Sequence, residues 1–133
     1  MIIKAALLIF RDSPDGPQLL FVRPHGKDYY VLPGGKQEPN ETIEQALERE
    51  LREELSVSAS DIRAVGVVSG ETPDNRALEM HLYTGQIHGD PQPHAEIAEI
   101  CWFSRMEIEA VTDKMTPMTL RHIMPFLTDQ RLW

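Results

Sequence analysis

The sequence predicts an α/β protein, an α/β/α sandwich in which helices cover both faces of a mixed β-sheet. Two observations lead to this fold class. Short aliphatic and β-branched runs, typical of strands, alternate along the chain with amphipathic stretches of helical period. With 133 residues, the chain is long enough to bury one hydrophobic core without disulfides. We therefore expect a single domain over residues 1–133.

Strands are predicted over residues 3–10 and 19–22, which are rich in aliphatic side chains. The turn-rich segment between them contains the pair Asp15-Gly16, which favours an antiparallel hairpin. Residues 29–32 predict another short strand, and Pro33-Gly34-Gly35 ends it. Because glycine has no side chain, the backbone at this glycine pair can approach a ligand or metal closely.

A carboxylate-rich helix is predicted over residues 42–55. Two starts stay open, because Asn40 is a good N-cap and Thr42 and Gln45 form a capping box. At about 3.6 residues per turn, its first turns share one apolar face that should pack on the core. The residues of this face are Ile43, Ala46 and Leu47.

One turn later, the same sector of the helix carries Glu50, Glu53 and Glu54. A solvated face is the alternative interpretation, because Arg49 and Arg52 are interleaved with the glutamates. That interpretation leaves only a narrow apolar edge to dock the last two turns. Burying an unpaired carboxylate is costly, and neighbouring carboxylates repel one another. We therefore predict that these glutamates bind divalent cations.

Three more strands are predicted over residues 62–68, 79–87 and 96–103, and two loops are predicted over residues 69–76 and 88–94. These strands complete the mixed sheet.

Two C-terminal helices should cover one face of that sheet. Ser104 and Glu107 form a capping box that opens a short helix. Thr116 followed by Pro117 marks the start of the last helix, and Pro125 should kink or end it.

Charge and cysteine content narrow the possible functions. The net charge of −8 argues against binding extended nucleic acid or an anionic membrane, because both need a positive surface. A small phosphorylated substrate stays possible, since metal ions reverse the charge within a pocket. Cys101 is the single cysteine, which suits a reducing cytosol. The first ten residues are too short for a membrane span and lack the features of a signal peptide, so we expect a cytoplasmic protein.

The segment from Gly35 to Val57 resembles the Nudix box of the Nudix (MutT-like) hydrolases. The matching positions are Gly35, Glu41, Val57 and the run Arg49-Glu50-Leu51-Arg52-Glu53-Glu54-Leu55. Asn40 and Ser56 depart from the pattern, because the family commonly has glycine at both positions. Ser56 must take the left-handed conformation that ends the helix. The resemblance covers roughly the first 105 residues and implies the Nudix fold.

The resemblance implies metal-dependent hydrolysis of a diphosphate linkage in a nucleoside diphosphate that is linked to another moiety. The implied metal ligands are Glu50, Glu53, Glu54 and a main-chain carbonyl at Gly34. The residues implied to support the site are Gly35, Glu41 and Arg49. Oxygen ligands without cysteine or histidine favour Mg²⁺ or Mn²⁺.

Either Glu53 or Glu99 could be the general base, and the sequence does not decide between them. Glu50 is a further catalytic candidate. Glu96 and Glu99, shortly before Trp102, are candidate accessory metal ligands, with strand-edge charges as the alternative.

The substrate-binding candidates lie on the polar loop before the glycine turn. They are Arg23, His25 and Lys27, whose cationic or imidazole groups could reach a substrate phosphate. A solvated loop without a ligand is the alternative.

The substrate itself also stays open. A nucleoside triphosphate and an ADP-ribose-like or nucleotide-sugar compound both fit the resemblance. Pro73, sixteen residues after Val57, matches a spacing found in ADP-ribose pyrophosphatases of the family. A non-catalytic nucleotide-binding sensor is the alternative function, although a sensor gains little from three mutually repelling carboxylates. The resemblance is also compatible with a homodimer, but no stretch of the sequence identifies an interface.

Overall fold

Two β-sheets form the middle of the computed structural model, which describes residues 1–133. The strands are, in chain order, β1 (Ile2–Leu8), β2 (Phe10–Arg11), β3 (Gln18–Pro24), β4 (Gly34–Lys36), β5 (Ser58–Glu71), β6 (Ala77–His88) and β7 (Ile97–Ser104). The larger sheet has the order β4-β1-β6-β5, and the smaller one has the order β2-β3-β7. Strands β1 and β6 run parallel, and the other pairs are antiparallel, so the predicted mixed sheet is confirmed.

Helices cover both sides of the sheets. They are α1 (Ile43–Leu55), α2 (Arg105–Glu109) and α3 (Met124–Asp129). Helix α1 contributes Leu47, Leu51 and Leu55 to one buried cluster. The C-terminal helices contribute Ile108 and Leu127 to the other cluster. This arrangement confirms the α/β/α fold class. No helix has both the length and the apolar character needed to cross a membrane.

The predicted N-terminal hairpin forms only in part. Strands β2 and β3 pair antiparallel across the turn that contains Gly16. Residues 2–8 instead pair with β4 and β6 in the larger sheet, and the chain changes sheet at the buried Ile9. A long apolar run that is buried on both faces suits either sheet, which is why its pattern did not reveal the change.

The predicted strand over residues 29–32 is wrong. Only isolated bridges occur there, from Val31 to Val22 and from Tyr30 to Met115. Regular pairing begins only after this segment, where the Pro33 carbonyl accepts a hydrogen bond from the Leu7 N–H at 3.1 Å and β4 follows along β1. The predicted loop over residues 69–76 is too long, because β5 continues to Glu71 and leaves a tight turn before β6.

Of the two possible starts of α1, the structure has the one at Thr42, and the end of the helix follows the prediction. Thr42 is the N-cap, and its capping box with Gln45 is complete. Ser56 adopts the left-handed conformation with φ 55°, at a cost of about 1 kcal/mol relative to glycine. The buried face of α1 is wider than predicted, because Leu51 and Leu55 are fully buried beside the first turns.

Pro125 was predicted to kink or end the last helix. The helical run continues past Pro125, so this proline does not end it, but the run is irregular directly before it. A π-helical turn over Thr119–Ile123 directly precedes α3, which contains Pro125. Proline cannot donate the usual backbone hydrogen bond, and the wider turn separates its ring from the preceding carbonyls. The predicted start is supported by Thr116, whose Oγ1 accepts a hydrogen bond from the Thr119 N–H at 3.2 Å.

Candidate active site and metal-binding site

A cavity of about 940 Å³, the main cavity, opens beside the glycine turn. Its wall combines residues of β1, β4, α1, the β5–β6 turn and the C-terminal helical run. Part of the wall is apolar, with Leu32, Leu78, Met80, Met118 and Ile123 among its residues. Volumes of this size are typical of sites that bind small molecules.

Glu54 is a buried carboxylate at the edge of this cavity. Its side chain reaches inward from α1, and the residue is only 6% exposed. Its Oε1 accepts a hydrogen bond from the Gly34 N–H at 3.1 Å. Burial, together with the charges of Glu50 and Glu96, raises the pKa of Glu54 to about 8, against the lowering effect of the Gly34 N–H. A carboxylate in this environment gains strongly from a nearby cation.

Glu50, Glu54 and Glu96 form the carboxylate cluster of the main cavity. One oxygen atom from each residue lies within 4.8 Å of the others. Glu50 lies one turn before Glu54 on α1, whereas Glu96 comes from the segment just before β7. Burial raises the pKa of Glu50, although its ion pair with Arg49 opposes the shift. Three carboxylates at this spacing fit a hard divalent cation such as Mg²⁺ or Mn²⁺.

Gly34 and Gly35, which were predicted to form a turn that ends a strand, lie in strand β4, and two different close contacts shape this segment. A Cβ atom at Gly34 would lie 1.9 Å from the Ala5 carbonyl oxygen, and Gly34 has φ 144°. A Cβ atom at Gly35 would lie 2.4 Å from Cδ of Glu50. Gly34 therefore lets β4 approach β1 closely, and Gly35 leaves room for the Glu50 carboxylate.

Arg49 connects the glycine turn, the loop before α1 and the helix itself. Its Nη2 donates to Glu41 Oε1 at 2.8 Å, and its Nε donates to Glu41 Oε2 at 3.1 Å. Its Nη1 donates to Glu50 at 3.0 Å, and Nη2 also donates to the Lys36 carbonyl at 3.0 Å. The hydrogen bonds from Arg49 lower the pKa of Glu41. The Arg49 guanidinium therefore fixes the position of Glu50 within the carboxylate cluster.

Comparison with known proteins identifies the family of this site. A family model described as the NUDIX domain matches residues 1–125. The chain belongs to the Nudix hydrolase family. The resemblance found in the segment from Gly35 to Val57 is therefore confirmed.

Relatives within the Nudix family include enzymes with named substrates. The chain is 37% identical over 111 residues to the CTP pyrophosphohydrolase of Escherichia coli, a match that covers 80% of this chain and 78% of that protein. It is 40% identical over 64 residues to the 8-oxo-dGTP diphosphatase of Proteus vulgaris, covering 47% of this chain and 57% of that protein. A solved Nudix hydrolase from Nitrosomonas europaea aligns with a TM-score of 0.75 and 25% identity, covering 98% of this chain and 88% of that one.

Glu53, one of the three glutamates predicted to bind metal, does not belong to the carboxylate cluster. Its side chain is 50% exposed, so the prediction that it faces the core is wrong. It accepts a hydrogen bond from Arg49 Nη1 at 3.3 Å. Because Leu51 and Leu55 are buried, the centre of the buried face is rotated away from Glu53. Its metal-binding and catalytic roles stay predictions.

Glu99 lies outside the main cavity, in a smaller cavity of about 270 Å³. Its Oε1 accepts hydrogen bonds from the Tyr30 hydroxyl and from Arg23 Nε at 2.9 Å. These two partners lower the pKa of Glu99. Burial and the bond to Glu99 raise the pKa of Tyr30 to about 12. Of the two candidate accessory metal ligands, Glu96 therefore joins the carboxylate cluster and Glu99 does not.

The three predicted substrate-binding residues do not all line the same cavity. Lys27 lines both cavities, whereas Arg23 lines only the smaller one. The His25 side chain lines neither cavity, but its backbone N–H donates to the Glu96 carbonyl at 2.7 Å. The loop before the glycine turn therefore holds the segment that carries Glu96.

Lys4 and Lys36 line the main cavity although neither was a predicted site residue, and Arg76 joins them from the predicted loop over residues 69–76. Lys4 is half-buried on β1. Burial lowers the pKa of Lys4, as do the charges of Lys36 and Arg76, whereas Glu54 and Glu50 raise it. The sequence does contain one sign that Lys4 has a special position, because it is the only charged residue within the apolar run of residues 2–9.

Proposed function

We propose that this Nudix hydrolase cleaves a diphosphate linkage in a nucleoside diphosphate linked to another moiety, with Mg²⁺ or Mn²⁺ as its cofactor. The observation that carries this proposal is the carboxylate cluster, which lies in the wall of a cavity large enough for a nucleotide. Crowded, partly buried carboxylates are unfavourable without a cation, and phosphates need the same cation.

Glu50, Glu54 and Glu96 would hold the metal through carboxylate oxygens. The Nudix resemblance adds Glu53 and the Gly34 carbonyl to the proposed ligand set. When bound, a divalent cation neutralises the charge of a diphosphate and makes water a better nucleophile. Arg49 contributes by holding Glu50, and the Gly34 N–H contributes by orienting Glu54.

The proposed reaction adds one water molecule across a P–O–P bridge. The water oxygen forms a bond to one phosphorus, the bridging P–O bond breaks, and two phosphate-bearing products leave. A carboxylate accepts the proton of the water. Glu53 and Glu99 are the two proposed bases. The position of Glu53 on α1, in contact with the guanidinium that binds Glu50, favours Glu53.

Among the possible substrates we favour a nucleoside triphosphate, which would yield a nucleoside monophosphate and pyrophosphate. Both named relatives support this choice, because CTP and 8-oxo-dGTP are nucleoside triphosphates. An ADP-ribose-like substrate is the second candidate, and Pro73 lines the main cavity as such a role would require.

We also propose a cytoplasmic location, in keeping with the free thiol of Cys101. We further propose a homodimer, which analytical sedimentation would test.

A panel of nucleoside triphosphates, ADP-ribose and nucleotide sugars tests the function. Each compound is incubated with the protein in Mg²⁺, in Mn²⁺ and in EDTA, and the nucleoside monophosphate that forms is measured by chromatography. Cleavage that requires a divalent metal would support the proposal. If no compound is cleaved but one of them raises the melting temperature, the alternative of a nucleotide-binding sensor is favoured instead.

A further inference from the structure

Two lysines face each other across β1 and β4 at the wall of the main cavity. Lys4 of β1 lies directly opposite Lys36 of β4 in the antiparallel register. Directly opposed side chains lie on the same face of a sheet, and like charges in this position destabilise it. Both lysines line the main cavity, together with Arg76 from the turn before β6.

Neither lysine has an ionic partner within the protein. Lys4 and Lys36 form no ion pair and no side-chain hydrogen bond. Arg76, by contrast, pairs with Asp74 at 3.0 Å. The chain has 21 acidic and 13 basic residues, so the absence of a partner does not reflect a shortage of carboxylates. Glu54 and Glu50 attract Lys4 without forming an ion pair with it, and Lys36 is exposed. Two opposed lysines that are unpaired beside a cavity indicate a site for an anion that is not part of the chain.

The lysine pair lies close to the carboxylate cluster. Lys4 precedes Ala5, whose carbonyl packs against Gly34, the donor to Glu54. Because Lys4 is half-buried, its ammonium group has lost part of its hydration, and a bound phosphate would replace that hydration with charge-assisted hydrogen bonds. The repulsion between the two lysines would then be offset by attraction to the ligand.

We propose that Lys4 and Lys36 together bind a phosphate group of the substrate beyond the linkage that is cleaved, and that Lys4 determines selectivity for substrates that carry this group. The inference rests on the proposed function, because it names a phosphate-binding contact within the same cavity. A nucleoside triphosphate has such an additional phosphate, whereas ADP-ribose does not.

Binding of inorganic pyrophosphate tests the lysine pair without relying on catalysis. Calorimetric titration in Mg²⁺ would compare the wild-type protein with Lys4→Met, Lys4→Arg and the control Lys114→Met. Lys114 lies on the smaller cavity and its replacement removes the same charge. We expect Lys4→Met to weaken binding about tenfold, Lys4→Arg to stay within about threefold, and the control to match the wild type. Equal affinity of Lys4→Met and wild type, or an equal loss in Lys114→Met, would overturn the proposal.

Kinetics then test selectivity. Lys4→Met should raise KM about tenfold for the nucleoside triphosphate that is cleaved, with little change in kcat, and should affect ADP-ribose less. An equal effect on both substrates, or no effect on the triphosphate, contradicts the inference. If the wild type cleaves no nucleotide, the proposed function fails, and the pyrophosphate titration still decides whether Lys4 binds phosphate. Thermal melts of each variant check that it is folded.

Discussion

The backbone N–H of Gly34 donates a hydrogen bond to Oε1 of the buried Glu54 at 3.1 Å. Gly34 can take this position only because it has no side chain, since β4 passes against the Ala5 carbonyl of β1. A sheet contact therefore orients a carboxylate on the neighbouring helix. Strand β4 and the helix of the Nudix box are joined at this bond.

The two glycines of this turn should respond differently to alanine. Gly34→Ala would force a Cβ atom into the β1 backbone at a positive φ, and we expect a loss of about 2–4 kcal/mol in the free energy of unfolding. Gly35→Ala meets the Glu50 side chain, which can move, so stability should change little while metal affinity falls. Urea unfolding and Mn²⁺ titration measure the two effects. Equal stability losses in both variants would contradict this assignment.

Arg49→Lys should impair both folding and the site. A lysine ammonium group cannot reproduce the two parallel hydrogen bonds to Glu41 while also bonding Glu50. We expect a loss of about 1–3 kcal/mol in the free energy of unfolding and a lower kcat. Chemical denaturation and steady-state kinetics measure these changes. Arg52→Lys is the matched control, because Arg52 is exposed on the same helix. A variant Arg49→Lys that behaves like Arg52→Lys would refute the role of Arg49.

Glu99 should contribute to stability in a pH-dependent way. The folded protein lowers the pKa of Glu99 below its ordinary value of 4.5, mainly through the Tyr30 hydroxyl and Arg23. A lowered pKa gives stability that is present above about pH 4.5 and is lost as the pH falls further. Glu99→Gln should therefore melt at a lower temperature than the wild type at pH 7, and the gap should narrow below about pH 4. A gap that is constant with pH would show that Glu99 is not ionised in this contact.

Separate glutamine substitutions distinguish the two proposed bases. Neither residue lines the main cavity, but Glu53 contacts the guanidinium that binds Glu50. Glu99 is instead held by Tyr30 and Arg23, so we expect Glu99→Gln to keep kcat within about threefold of the wild type. Glu53→Gln should lower kcat by about a hundredfold, the scale of general base catalysis. Nucleotide hydrolysis at saturating Mg²⁺ measures both. The opposite order of effects would assign the base to Glu99.

Local sequence signals predicted α1 well. The capping box at Thr42 and the left-handed Ser56 depend on neighbouring residues, and both are present as expected. The inward position of Glu54 also follows from helical period. Glu53 was misplaced because the apolar face was centred on Ile43, which is only half-buried, rather than on Leu51 and Leu55.

Contacts between distant segments could not be predicted in the same way. Glu96 joins Glu50 and Glu54 only because the segment before β7 packs near α1, and the sequence left Glu96 and Glu99 equivalent. The change of sheet at Ile9 and the lysine pair depend on strand register, which an unbroken apolar run does not specify.

Hydrolysis by Glu54→Gln tests the central claim most directly, with Glu48→Gln as a control on the same helix. Glutamine keeps the shape of the buried side chain without its charge, so the melting temperature should be preserved. If Glu54 helps to hold the catalytic cation, metal-dependent release of pyrophosphate from a nucleoside triphosphate should fall about a hundredfold or more, while Glu48→Gln stays near the wild type. Retained activity in folded Glu54→Gln would contradict the account.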